Sequence, residues 1–164
     1  MKRICIQGFT LAELLAVIII ISMLSALGLG AYKKSVEQSR FAEGLAAASA
    51  VVEAINRARF DEKIEGRSSP SVHKYATLDV NLPEACTSGN CRATKYFEVY
   101  IEKDAGANYE VVRAKRKKGN YYVEISSNFG SNKDELACVG NNTDGVTFCE
   151  SMGYVNCTEM RCTK

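Results

Sequence analysis

From Leu14 to Ala31 the chain carries no charged residue, close to the roughly 20 apolar residues with which a helix crosses a bilayer. Two fates suit such a run: a membrane helix, or the apolar centre of a secretory signal. One carboxylate, Glu13, stands at its mouth, and a short basic leader, Met1 to Gly8 with Lys2 and Arg3, precedes it. The Leu, Ile and Val residues from Leu14 to Leu29, at about −0.4 kcal/mol each, supply roughly −4 kcal/mol towards insertion. An acid costs about +2.5 to +3.5 kcal/mol at the membrane centre and less near the edge. Insertion therefore wins. Lys2 and Arg3 hold the leader in the cytoplasm, Lys33 and Lys34 weaken that bias, and the remainder of the chain is exported.

An acidic residue at the start of a membrane helix is costly unless something pairs with it. The order Gly8-Phe9-Thr10-Leu11-Ala12-Glu13, after a basic leader and before an apolar run, resembles the type IV pilin-like superfamily. The resemblance reaches to about Phe60. Ala12 departs from the Ile or Val usual there, and the membrane run lacks the proline that many members carry, with Gly28 and Gly30 in that region instead. The resemblance implies that a membrane-embedded prepilin peptidase cuts between Gly8 and Phe9 and N-methylates the new Phe9 amine. It also implies that Glu13 faces the Phe9 amine of a neighbouring subunit during assembly. A carboxylate and an ammonium are each expensive to bury alone, so their pairing favours docking in one register. In a plainer account Glu13 reaches back to the headgroups. The signal-peptide account has a small-x-small site at Ala26-Leu27-Gly28 and releases a soluble domain starting near Leu29. Against it stand Glu13 and a helical pattern that continues past the cut.

That pattern is an apolar face formed by Phe41, Leu45, Ala48, Val52 and Ile55, at alternating steps of four and three. With no proline from Phe9 to Phe60, one continuous helix of roughly 75–80 Å is expected. Ser22, Ala26 and Gly30 form a small-residue stripe within it. Asp61 to Ser71 reads as a connecting loop. Three alternating runs follow, Lys95–Lys103, Asn108–Arg116 and Tyr121–Ser127, with Phe97, Val99 and Ile101 on one face of the first and Tyr121, Val123 and Ile125 on one face of the last. Their separators contain turn residues, which predicts a three-stranded antiparallel meander. The fold class is α+β: a long N-terminal helix, part membrane and part amphipathic, packed on a small antiparallel sheet with a disulfide-rich C-terminal segment. The expected divisions are a leader at 1–8, a transmembrane and assembly half at 9–31, an amphipathic half at 32–60 and a globular head at 61–164.

Seven cysteines are present, and Cys5 lies in the leader. Cleavage leaves Cys86, Cys91, Cys138, Cys149, Cys157 and Cys162, an even set that points to a disulfide framework and export. Cys86-Thr-Ser-Gly-Asn-Cys91 reads as a turn closed by its own bridge. The other four leave several connectivities open, and local pairing of Cys138 with Cys149 and Cys157 with Cys162 is favoured. Cys-x4-Cys also lies within zinc-ligand spacing, but an exported domain favours bridges, and no metal or other cofactor is expected. The precursor has 21 basic and 19 acidic residues, and loss of Lys2 and Arg3 equalises them. No specific nucleic-acid partner follows, and the cluster Arg113, Lys115, Arg116, Lys117 and Lys118 reads as a solvated hairpin that protects an edge. Gly140 to Gly145 has too few carboxylates for calcium and reads as a turn. The lone His73 has no nucleophile or carboxylate constellation beside it, so no catalytic residues and no enzyme are expected.

The implied function is a structural subunit of a type IV pilus-like filament. Alternatives are a pseudopilin of a type II secretion or DNA-uptake system and, from another class, an exported disulfide-rich binding domain or tip adhesin. The implied partners are other copies of the chain or related subunits, the prepilin peptidase, an inner-membrane assembly platform and lipid. The implied location is the inner membrane, single-pass with the head outside the cytoplasm, and then a surface pilus or a periplasmic pseudopilus.

Overall fold

A computed structural model describes residues 9–64, 74–86, 90–103, 110–127 and 135–164. Helix α1, Leu11–Ile64, is unbroken over 54 residues, about 81 Å at 1.5 Å per residue. It runs on past Phe60, where the sequence reading ended it. Two compact units divide the chain, one ending at Ser39 and the other comprising Arg40–Lys164.

In the first unit the apolar side chains of α1 are exposed, from Ile19 at 44% to Leu11 at 87%. The helix is long and apolar enough there to cross a membrane. The Ser22 hydroxyl donates to the Ile18 carbonyl at 2.6 Å, so this polar group is satisfied within the helix, as an apolar environment requires.

The second unit is an eight-stranded antiparallel sheet that packs its inner face on the head half of α1. The strands are β1 (Glu84–Ala85), β2 (Cys91–Ala93), β3 (Phe97–Lys103), β4 (Glu110–Arg116), β5 (Tyr121–Ser127), β6 (Glu135–Gly140), β7 (Asn156–Thr158) and β8 (Arg161–Thr163). A helix α2, Thr143–Ser151, lies between β6 and β7 in the chain. The sheet order is β1-β2-β3-β4-β5-β6-β8-β7. The meander expected from the sequence is its centre, β3-β4-β5, and the apolar faces of β3 and β5 point inward as their alternation required. The sheet is nonetheless larger than expected. Strands β1, β2, β7 and β8 are too short to carry an alternation signal, and β6 carries Cys138 where a bulky apolar residue would have marked it.

Burial on α1 is broader than one stripe. Gly44, Ala47, Val51 and Ala54 are buried together with Phe41, Ala48, Val52 and Ile55, while Leu45 is half-buried. Small residues there admit close approach: a Cβ on Gly44 would lie 2.6–2.8 Å from three ring atoms of Phe97. At the start of the head half, Phe41 meets the rings of Tyr121, Phe148 and Tyr154 at 5.8–5.9 Å, and Tyr121 stacks on Phe148 at 4.3 Å. Aromatic contacts of this kind add about 0.5–1.5 kcal/mol each beyond area burial. They tie α1, β5 and α2 together.

Candidate functional site

The assembly residues inferred from the sequence lie at the start of α1. Phe9 is exposed, and Gly8 and Cys5 lie outside the described residues. Thr10 and Glu13 form a reciprocal cap. The Glu13 N–H donates to the Thr10 hydroxyl oxygen at 3.3 Å, and the Thr10 N–H and hydroxyl both donate to Glu13 Oε2 at 2.9 Å. Four N–H groups at a helix start have no intrahelical partner, and the Thr-x-x-Glu spacing satisfies two N–H donors at once. Within one chain, then, Glu13 already has a partner. The spacing was legible in Thr10-Leu11-Ala12-Glu13, but an expected intermolecular role for Glu13 obscured it.

In the head all six cysteines are bridged: Cys86 to Cys91, Cys138 to Cys149 and Cys157 to Cys162. These are the local pairs. Among the described residues no group of acids, histidines and cysteines is arranged to hold a metal ion. The segment read as a turn at Gly140–Gly145 is instead the entry to α2. The Asn142 side chain caps the helix by accepting from the Gly145 N–H at 3.0 Å, and Asp144 sits in the first turn, where the helix dipole favours an anion. A Cβ on Gly145 would collide with the Asn120 carbonyl, so only glycine fits there. His73 lies outside the described residues.

The basic cluster of the second hairpin is dispersed by strand alternation. Arg116 is buried, donates to the Tyr96 carbonyl at 3.1 Å and lies 5.6 Å over the Phe97 ring. Lys117 pairs with Glu84 at 3.0 Å. Arg113 pairs with Glu102 and, at 2.8 Å, with Glu124. Arg161 then links Glu124 to Glu135, both at 3.2 Å. Cations and carboxylates thus alternate across β3, β4, β5, β8 and β6 on the outer face. A shallow depression on the same face is lined by Tyr100, Glu102, Arg113, Lys115, Tyr122 and Asn141. The Tyr100 hydroxyl donates to Glu98 at 2.7 Å, and this carboxylate holds the phenol protonated, pushing its pKa up to about 12.

On the inner face, Glu110 follows the same alternation as Val112 and Ala114 and is carried into the core. Arg59 of α1 meets it at 3.0 Å, with side chains 12% and 5% exposed respectively. A buried pair like this is held by its geometry, because neither charge can be left alone in the interior. The sequence reading missed it, although the period of two in β4 predicts an inward Glu110.

No protein family, curated protein or solved structure matches the chain. A long exposed apolar helix, of the kind that serves as a membrane anchor or signal sequence, precedes a bridged head suited to an oxidising, exported compartment.

Proposed function

We propose that the chain is a structural subunit of a type IV pilus-like filament, cut after Gly8 and polymerised through the first half of α1. The observation that carries this reading is that α1 continues without a break from exposed apolar side chains into the buried half that forms the core of the head. A signal-peptide cut near Leu29 would sever that helix in its interior. A filament in which apolar helix halves bundle would cover the surface that a single chain leaves exposed.

In this reading Glu13 changes partner. In the single chain Thr10 occupies the carboxylate. During assembly the N-methylated Phe9 amine of a neighbour takes its place, exchanging neutral donors for a charged one in a medium of low dielectric. The Ser22-Ala26-Gly30 stripe allows neighbouring helices to approach closely. The prepilin peptidase and an inner-membrane assembly platform are the further partners. Three bridges suit an oxidising location, and both a surface pilus and a periplasmic pseudopilus meet that condition.

Mass spectrometry of the mature amino-terminal peptide, from native membranes and from sheared filaments, tests the proposal. The expected chain begins at N-methylated Phe9 and is recovered in sheared filaments. Recovery from membranes alone would move the reading to a pseudopilin. A chain beginning near Leu29 would refute both and leave a released disulfide-rich domain.

A further inference from the structure

The two C-terminal bridges are neighbours through the strand register. In the sheet register Cys138 of β6 stands opposite Cys162 of β8, and Cys162 stands opposite Cys157 of β7. Three cysteines thus form one row across three adjacent strands, with side chains on a common face because directly opposed residues of antiparallel strands share a side. Cys149 of α2 joins the row through its bridge to Cys138. Opposed residues in an antiparallel pair have Cα atoms about 4.5–5.5 Å apart, which falls inside the roughly 4.4–6.8 Å that a disulfide spans. Cys138 and Cys162 are therefore placed for a bridge they do not form in the resting structure. Access is asymmetric: Cys138, Cys149 and Cys162 are fully buried, and Cys157 is half-buried beside the exposed Val155.

We infer that Cys157 is a site of modification by a small external thiol, and that this modification is relayed through Cys162 and Cys138 to free Cys149. The external thiolate attacks Cys157 Sγ, forms a mixed disulfide there and releases Cys162 as a thiolate. Cys162 attacks Cys138 Sγ, forms the Cys138–Cys162 bridge and breaks Cys138–Cys149. Cys149 leaves as a thiolate and takes up the proton that the external thiol gave up. Two protein bridges become one protein bridge, one mixed disulfide and one free thiol, so one external thiol is consumed and no further oxidant or reductant is required. Entry is confined to Cys157 because attack on a disulfide sulfur by an external thiolate requires access, and Cys138, Cys149 and Cys162 are fully buried. The outcome is local to α2: its covalent tie to β6 is lost, while Asn142 still caps it and Phe148 still stacks on Tyr121. The bridge Cys86–Cys91 takes no part, since no other cysteine stands opposite either of its members in the register. The inference is independent of the filament reading.

The test treats the full-length protein in detergent with glutathione under native conditions, quenches it with an alkylating reagent in denaturant, so that buried thiols are also labelled, and maps the peptides by mass spectrometry. The expected products carry glutathione on Cys157, the alkyl label on Cys149 and a Cys138–Cys162 cross-link. Label on Cys162 with Cys138–Cys149 intact, or first modification at Cys138 or Cys149, would overturn the relay. A second measurement uses Cys157→Ser, which leaves Cys162 as the nucleophile without added thiol. About tenfold more label is expected on Cys149 in this variant than in Cys157→Ser/Cys162→Ser, which lacks the nucleophile. Equal labelling of Cys149 in the two would overturn the relay, and should the variants fail to fold, the glutathione map of the unaltered protein decides it.

Discussion

Replacing Gly44 with alanine sets two effects of known sign against each other. In a helix interior the change recovers about 1 kcal/mol of backbone propensity. In this helix the new methyl would sit 2.6–2.8 Å from Cε1, Cζ and Cδ1 of Phe97, where carbon atoms prefer about 3.5–4.0 Å. Relief requires a shift of roughly 1 Å, and the ring has little room for it. Phe97 is fully buried, with Tyr121 at 6.2 Å between centroids and the Arg116 guanidinium 5.6 Å over its face. Overpacking of this kind costs about 1–3 kcal/mol, so the net expectation is a loss of about 1 kcal/mol, or about 4 °C in Tm. Near-UV circular dichroism of the detergent-solubilised protein during thermal and denaturant unfolding reads the head without interference from residues 11–31 of α1, which carry no aromatic side chain. A Phe97→Leu background removes the clash, and Gly44→Ala should be stabilising there. If Gly44→Ala stabilises both backgrounds equally, the close approach of helix and sheet at this point is refuted.

Glu110→Ala removes the buried carboxylate that Arg59 meets at 3.0 Å, and breaking a buried pair of this kind is expected to cost about 3–5 kcal/mol by denaturant titration; a loss below about 1 kcal/mol would mean that the pair behaves as a solvated one. Asn142→Ala removes the side-chain acceptor for the Gly145 N–H and should cost about 1 kcal/mol; an unchanged unfolding midpoint would refute the cap. In an alkaline titration followed by phenolate absorbance, Tyr96 should ionise below the ordinary tyrosine range, because the hydrogen bond and charge of Lys95, with Arg40 adding to them, lower its pKa. Tyr100 should ionise near pH 12 because of Glu98. Folding favours the neutral Tyr100 phenol, so its contribution is whole below about pH 10, the unfolded value, and is lost as pH rises through about 12. Glu98→Ala should bring the Tyr100 step down; an unmoved step would show that Glu98 is not its cause.

The parts of this molecule legible in the sequence are those set by local periodicity. The inward faces of β3 and β5 followed from alternation, and the core stripe of α1 from recurrence at three and four. The local bridges also belong here, since a short loop holds its two ends close. The parts that escaped depend on partners distant in sequence. Strands β7 and β8 exist because each has a neighbour to pair with, and three residues contain no period to detect. Helix α2 was hidden because its cap, Asn142, lies among residues that also suit turns, and the close packing of Gly145 against Asn120 is tertiary.

By itself the sequence determined that an uncharged run follows Glu13 and that a helical pattern continues beyond it, because hydropathy and proline are properties of single residues and their spacing. It also contained the Thr10–Glu13 cap, a purely local bond. Only the tertiary structure decided that Glu110 meets Arg59, that Gly44 lies under Phe97, and that Cys138 stands beside Cys162. Each of these depends on strand register and on how the helix seats against the sheet. Register is a collective outcome of burying one face of eight strands at once, and no short stretch of the chain encodes it.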